Sequence, residues 1–510
     1  MSRILPLLYW GTMAAILIWN IQLAGRIAQN RKAPRLIALL SALAGLLILP
    51  AAIAAAAAPS LYSGRAVQAI SWLWPLVHLI VVLQVASALV RRHVTPAIGI
   101  PFLLLDLVLL GVAVARDQVM DGGQTAHWLV GLGAAHAGAL GIILGPLALY
   151  SPVALQIPLL APIAPARWRL SGALRAGLAL YAAAWTGLVV LVEYPRAVRA
   201  VDAFARYDAA RLQERPEGDF SLGLQLFPDI TRPPPPLLLA NDIALFDSLG
   251  VNAVSVTIAP EGARIATLDS LARLLEEVRR DTTQLIVSLG YPKNARASYR
   301  RDPARYTADR MLELRRILRI LRPDIVVPAV DPYGEGARTI GRLSLEEWQR
   351  YLSDAAAIVQ EVRPRTQVAV AASSFDAADS ALYAWAADRS SPIELVGFTF
   401  FPSFDGGLSL AARLDAAGRW LGAGDTQRPP KPHWVLRAGA YPLAFGEDAQ
   451  RQALWGTLAW ATAHAQVRGM IVVDAADYGR VTGLRVTGGR LRPAVASLAQ
   501  AVRLLREAAQ

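Results

Sequence analysis

The sequence predicts two domains of different class. An α-helical membrane domain with six transmembrane helices covers residues 1–193. A (β/α)8 barrel of the TIM-barrel type covers 220–510, and a connecting helix and linker at 194–219 joins them. Three observations carry this reading. At 510 residues the chain exceeds one ordinary domain. It is 54% hydrophobic, and the excess sits in long uncharged runs within the first two hundred residues. From Phe220 onward, short apolar strands ending in Pro, Gly or an acid alternate with segments of helical period, eight times over.

Taken in order, six runs reach the roughly 20 residues needed to cross a hydrocarbon layer of about 30 Å. They are Ile4–Ala24, Leu36–Ala58, Ala66–Val90, Pro96–Ala115, Trp128–Tyr150 and Leu174–Val192. Pro152–Pro165 is also apolar, but it is short and broken by proline, so it is expected to lie at the interface or re-enter. Arg26, Arg31, Lys32 and Arg35 follow the first run, Arg91 and Arg92 the third, and Arg167 and Arg169 the fifth. The alternate loops hold Arg65, or Arg116 beside Asp117 and Asp121. Positive charge marks cytoplasmic loops. The expected protein is therefore a multi-pass protein of the inner (cytoplasmic) membrane, with its N-terminus and its C-terminal barrel both extracytoplasmic (periplasmic). A cleaved signal peptide would carry its charge before the first run, and here the basic residues follow it.

Within these runs the polar residues include Asn20, His78, Asp106 and His136. Ionisable groups in hydrocarbon are costly and are functional candidates for that reason. Two histidines on different helices suit a b-type haem or a proton relay. The plainer reading is hydrogen bonding between helices, and with no second histidine pair or ligand spacing, no cofactor and no metal are expected. The chain has no cysteine, which excludes disulfides, thiolate metal sites and cysteine nucleophiles. Its formal charge of +12 comes without a Lys/Arg run interleaved with aromatics, so no nucleic-acid partner is expected.

In the second half the strands are expected at Leu222–Phe227, Ala253–Ile258, Gln284–Leu289, Ile325–Val330, Gln367–Ala372, Leu395–Phe400, Trp434–Arg437 and Gly469–Val473. Each is followed by a helix, and Ser344 with Glu347 is a capping box. A doubly wound open sheet rarely repeats eight times, and no Gly-rich phosphate fingerprint follows the first strand. Pro233–Pro236 reads as a stiff connector. Tyr194–Glu217, rich in Arg and Ala, reads as the connecting helix.

Function in such a barrel belongs to the loops after the strands. Those loops present the polar groups Asp229, Lys293, Asp331, Glu335, Arg437 and Asp474, among aromatics that include Tyr291, Tyr333, Phe401, Tyr441 and Tyr478. Flat apolar faces among hydrogen-bonding groups suit a sugar. Four segments then carry a resemblance: VVPAVDPYGEGA at strand four, VGFTFFPSF at six, HWVLRAGAYP at seven and MIVVDAADYG at eight. Over residues 220–510 the chain resembles the clan of retaining glycoside hydrolases with (β/α)8 barrels. The resemblance implies an acid/base at Asp331, where that clan has Glu after Asn, and a nucleophile at Arg437, where it has Glu. A guanidinium cannot attack an anomeric carbon, and retaining hydrolysis needs two carboxyl groups about 5–5.5 Å apart.

The expected function is thus a membrane-anchored, glycosidase-like pseudoenzyme that binds a polysaccharide, an oligosaccharide or a protein partner. Arg437 and Lys293 would favour an anionic glycan, and Asp331 would pair with Arg437. Two alternatives stay open. One is an active glycoside hydrolase acting on an envelope or extracellular polysaccharide, with Glu335 as a further acid. The other is a structural subunit whose membrane helices contact lipid and a membrane-protein partner.

Overall fold

The computed structural model describes residues 4–29, 33–57, 72–121, 134–163, 172–216, 218–227, 236–279, 283–401, 407–422, 431–442, 446–478, 482–486 and 489–507. Helices stand at all six apolar runs: α1 (Ile4–Gln29), α2 (Arg35–Ala57), α3 (Leu73–Val90), α4 (Pro96–Asp121), α5 (Ala134–Tyr150) and α6 (Gly172–Leu188). Among the described residues, three helical stretches are long and apolar enough to span a membrane: Arg35–Ala55, Leu73–Val90 and Pro96–Asp117. As described, α5 and α6 are 17 residues each. The bundle exposes apolar side chains and buries several polar ones within an apolar interior. Leu46 and Leu104 face outward, whereas Asn20, Ser41, His78, Gln84 and Asp106 are buried.

A non-helical segment runs through this bundle. After a 3-10 turn at Pro152–Leu155, residues up to Ile163 have no regular structure and are almost entirely buried. Unpaired amides there would each be costly, and side chains from three helices meet them. Asn20 donates to the Pro158 carbonyl (2.6 Å) and accepts from Leu160 N (3.1 Å). Gln84 accepts from Ala161 N (3.0 Å), and Asp106 accepts from Leu159 N (2.9 Å). Trp74 Nε1 donates to the Ala154 carbonyl, and Tyr9 to that of Pro152. Pro152, Pro158 and Pro162 explain why no helix forms.

A π-helical turn, Val189–Glu193, leads from α6 into α7 (Tyr194–Ala205). The connecting helix was expected to run to Glu217, but after Ala209 the chain is irregular. The buried Arg215 pins this strap by donating to the carbonyls of Thr462, His464, Ala465 and Val467, interactions that tertiary packing supplies. With its buried face of Ala197, Ala200, Ala203 and Phe204, α7 packs against α5 on one side and two barrel helices on the other.

The second half is a closed, all-parallel barrel in which each strand pairs with its sequence neighbours and the first pairs with the last. Its strands are β1 (Ser221–Gln225), β2 (Ala253–Ile258), β3 (Gln284–Leu289), β4 (Ile325–Val327), β5 (Gln367–Ala372), β6 (Leu395–Phe400), β7 (His433–Ala438) and β8 (Val467–Val472). The outer helices are α8 (Pro236–Leu249), α9 (Ile265–Glu276), α10 (Pro303–Ile320), α11 (Leu345–Val362), α12 (Ala377–Ala387), α13 (Gly407–Gly422), α14 (Glu447–Ala463) and α15 (Ala494–Glu507). The period of two sorts the strand residues. Ile325 and Val327, Ala369 and Ala371, and Ile471 belong with Trp434 to one compact interior cluster. Val326, Val368 and Val370 belong to the layer under the helices. Gly469 makes room inside, since a Cβ there would stand 2.6 Å from the Trp434 ring.

Two irregularities shape the mouth. β4 was expected to reach Val330 but ends at Val327, because Asp331 adopts a left-handed conformation (φ 45°) at the head of a π-helical turn, Pro332–Gly336. Aspartate tolerates that region better than most residues. In β7 a bulge breaks the register: Phe398 pairs with Val435, but Thr399 pairs with Arg437, so Leu436 is the extra residue. The bulge turns Arg437 to the same side as Thr399.

Candidate functional site

The turn after β4 and the bulge in β7 bring Asp331, Glu335 and Arg437 together. Arg437 Nη1 donates to Asp331 Oδ2 at 3.0 Å and to Glu335 Oε2 at 3.3 Å. Thr399 Oγ1 donates to the other oxygen of Asp331 at 2.6 Å. Both carboxylate oxygens lie on one nitrogen, so they stand at most 6.3 Å apart, the 3.0 and 3.3 Å contacts laid end to end. The side chain of Asp331 is 7% exposed, that of Arg437 18% and that of Glu335 35%, so the cluster opens to solvent on the Glu335 side. Burial pushes the Asp331 carboxyl up, while Arg437 and Thr399 oppose it. Burial also works against the charge on Arg437, yet Asp331 and then Glu335 hold the guanidinium above its ordinary range.

Aromatic rings flank the cluster. The Arg437 guanidinium lies 5.7 Å from the centre of the Phe401 ring, and Phe401 packs on Tyr441 at 5.4 Å. Tyr291 donates to the Val330 carbonyl at 2.8 Å, which steadies the residue before Asp331. Burial and then Glu335 raise the Tyr291 phenol well above its usual range, so it serves as a donor. Tyr333 is buried and feels the charges of Asp379 and Asp376.

Other expected site residues have different partners. Asp474 is buried, accepts from Thr482 at 2.7 Å, and adds its field to Arg437. Tyr478 donates to Asp242, which also pairs with Arg485, so its hydroxyl is committed to the β1–β8 side of the barrel. Lys293 is exposed on the loop after β3, and the structure does not bring it into the cluster. Asp229 lies outside the described residues. In the helical half, His78 bonds the carbonyls of Trp74 (2.9 Å) and Gln156 (3.3 Å), and Asp106 bonds Leu159 N. His136 is exposed on α5. Haem ligation by the histidine pair has no support in this placement, and among the described residues no group of three or more potential ligands is placed to hold a metal.

Three residues of the mouth escaped sequence reasoning. Thr399 looked like one residue of an apolar strand. Asp379 accepts from the amides of Ser373, Ser374 and Phe375 (2.7–2.9 Å). Burial holds it at about 6 despite those donors. Its visible signal was the Ser-Ser-Phe-Asp run just before it. Arg413, on α13, donates to the Phe401 carbonyl at 2.7 Å, and burial lowers its pKa. It looked like an ordinary residue of an exposed helix face.

No family model matches this chain, and a search of curated proteins found no match. Solved structures similar to it include sugar-cleaving enzymes. An exo-β-1,4-mannosidase from Opitutaceae bacterium strain TAV5 is 12% identical with a TM-score of 0.44, over 59% of this chain and 63% of that one. A family 1 β-glucosidase from Thermotoga maritima is 11% identical with a TM-score of 0.44, over 58% of this chain and 99% of that one. β-Glucuronidase 2 from Bacteroides uniformis is 12% identical with a TM-score of 0.42, over 57% of this chain and 37% of that one. At such identities and scores these likenesses say nothing of activity or substrate.

Proposed function

We propose that this chain is a six-span membrane protein whose extracytoplasmic barrel binds carbohydrate at its mouth without cleaving it by the two-carboxylate route. One observation carries the chemical half of this reading: Arg437 Nη1 sits between the two acids of the mouth. A guanidinium cannot attack the anomeric carbon, and a cation in that place opposes a developing oxocarbenium ion. Phe401 and Tyr441 keep apolar faces at the rim for a pyranose ring. An anionic glycan is disfavoured, because the charge of Arg437 is already met by two carboxylates and Lys293 stands apart. The ligand is a neutral or amine-bearing sugar.

The test is binding of the purified full chain, in mild detergent, to a panel of neutral, amino and acidic glycans. Arg437→Gln should abolish binding to neutral members, and preference for uronic acids would overturn the ligand class. The spacing of Asp331 and Glu335 favours one competing reading, active hydrolysis, since at most 6.3 Å overlaps the range of working pairs. Reducing-sugar release that vanishes with Glu335→Gln would replace binding by catalysis. Orientation is testable because the chain has no cysteine. An impermeant thiol reagent on intact cells should label Lys293→Cys and spare Arg92→Cys. The reverse pattern would turn the protein over.

A further inference from the structure

Behind the mouth, a trough of about 760 Å³ runs between α10 and α11 on the flank of the barrel. Its wall on α11 extends from Trp348 to Glu361, about 20 Å at the helical rise. Ala304 and Ala308, one turn apart on α10, and Ala357 on α11 line it with short side chains. The wall nearest the mouth is aromatic, with Tyr291, Tyr299 and Trp348.

The trough and the mouth share a partition. Tyr291 lines the trough while its hydroxyl holds the Val330 carbonyl at 2.8 Å, next to Asp331. On the other side, a Cβ at Gly336 would stand 2.8 Å from Tyr291 Oη and 3.2 Å from the Trp348 ring, so the turn bearing Glu335 rests directly on these two residues. The trough and the acid-bearing turn are thus separated by one layer of side chains, Tyr291 and Trp348.

We infer that the trough is an extension site for a neutral oligosaccharide whose end is held at the mouth; this rests on the carbohydrate reading of the mouth. Its rim carries Thr307, Arg350 and Asp354, accessible hydrogen-bonding groups that suit a ligand rich in hydroxyls over an acyl chain. The charges along the rim are close to balanced: Arg315 pairs with Glu361 at 2.5 and 2.6 Å, and Glu347 accepts from Tyr299 at 3.0 Å. A strongly charged polymer finds no counter-field there. Aromatic and apolar walls with a polar rim match the two-faced surface of a sugar chain.

The experiment is titration of the full-length protein with a disaccharide and a hexasaccharide, each as neutral β-1,4-linked glucose and mannose oligomers. The hexasaccharide should bind at least about tenfold more tightly. Ala308→Arg and Ala357→Arg fill the trough at exposed helical positions, where arginine is a good helix former, so the fold is retained. Each should remove the length advantage and leave disaccharide affinity unchanged. An advantage that survives both substitutions overturns the inference while sparing the mouth, as does equal affinity for the two lengths. Binding of neither oligomer in either series overturns the inference and removes neutral β-1,4-linked glucose and mannose chains from the ligands of the mouth, whose own test is the wider glycan panel.

Discussion

In the helical half, Asn20, Gln84 and Asp106 lie wholly buried, and each meets the backbone of one threaded segment. In the barrel, Asp242, Asp331 and Asp477 lie about as deep, and each meets an arginine. The difference follows from what has to be satisfied in each half. A non-helical stretch inside an apolar bundle has no water for its amides, so side chains must supply partners atom by atom. A barrel folded against water can recruit arginines whose forked donors match a carboxylate, provided both partners go in together. The barrel pairs are themselves graded. The Arg492–Asp477 side chains are 3% exposed on both sides, whereas Arg437 is 18% exposed and shares its charge with Glu335. The first is shut away from solvent, with Glu447 as a further partner of Arg492 at 3.3 Å; the second opens toward the mouth on its Glu335 side.

The sharpest way to break this contrast is to strand a charge in the closed pair. Arg492→Ala leaves Asp477 buried without its two bonds of 2.9 and 2.8 Å, and should cost about 3–5 kcal/mol, read as a large drop in the apparent unfolding midpoint. Arg437→Ala should cost less, because water reaches that cluster; an equal loss would mean the mouth is as closed as the Arg492 site.

Next comes pH. His433, at the start of β7, bonds the Lys431 carbonyl (2.8 Å) and the Tyr383 hydroxyl (3.0 Å), and burial lowers it to about 4. The unfolded chain takes up this proton near its ordinary 6.5 and the folded chain near 4, so the unfolded state binds more protons in that window. Stability should therefore fall as pH drops from about 6.5 to 4, by roughly 3 kcal/mol for this group. His433→Gln should flatten that slope in pH-resolved melts, and an unchanged slope would locate the acid sensitivity elsewhere.

In the helical half, Asn20→Leu orphans the Pro158 carbonyl and the Leu160 amide, each worth about 1–3 kcal/mol. Thermal melts in detergent should show the loss, and a neutral result would mean the threaded segment is not held by its side-chain partners. Smallest is Ser344→Ala, which removes half of a formed capping box and should cost about 1 kcal/mol. It touches neither the mouth nor the bundle, so it sets the scale for a purely local effect.

Much of this was legible in the sequence because it depends on period and punctuation. Gln284–Leu289 and Leu395–Phe400 emerge as strands with the expected bounds, and the capping box at Ser344 and Glu347 forms as read. The pairing of Asp331 with Arg437 followed from placing both at strand ends, where a closed barrel brings its loops together. What the pattern missed depends on departures from it. The left-handed Asp331 cut β4 short, and the bulge at Leu436 aimed Arg437 inward. Arg413 joined the mouth from a helix that looked like surface.

The sequence by itself determined an apolar helical half, an eightfold strand–helix repeat, and an arginine, Arg437, at the end of the seventh strand. Those properties are local: hydropathy, spacing and residue identity are present in any window of the chain. Only the tertiary structure decided that Asn20, Gln84 and Asp106 hold a threaded segment, that Tyr478 is committed to Asp242, and that one guanidinium nitrogen stands between Asp331 and Glu335. Partners more than a hundred residues apart, such as Asp331 and Arg437, meet only when the backbone closes the barrel, and whether a buried polar atom is satisfied depends on which distant group that closure delivers to it.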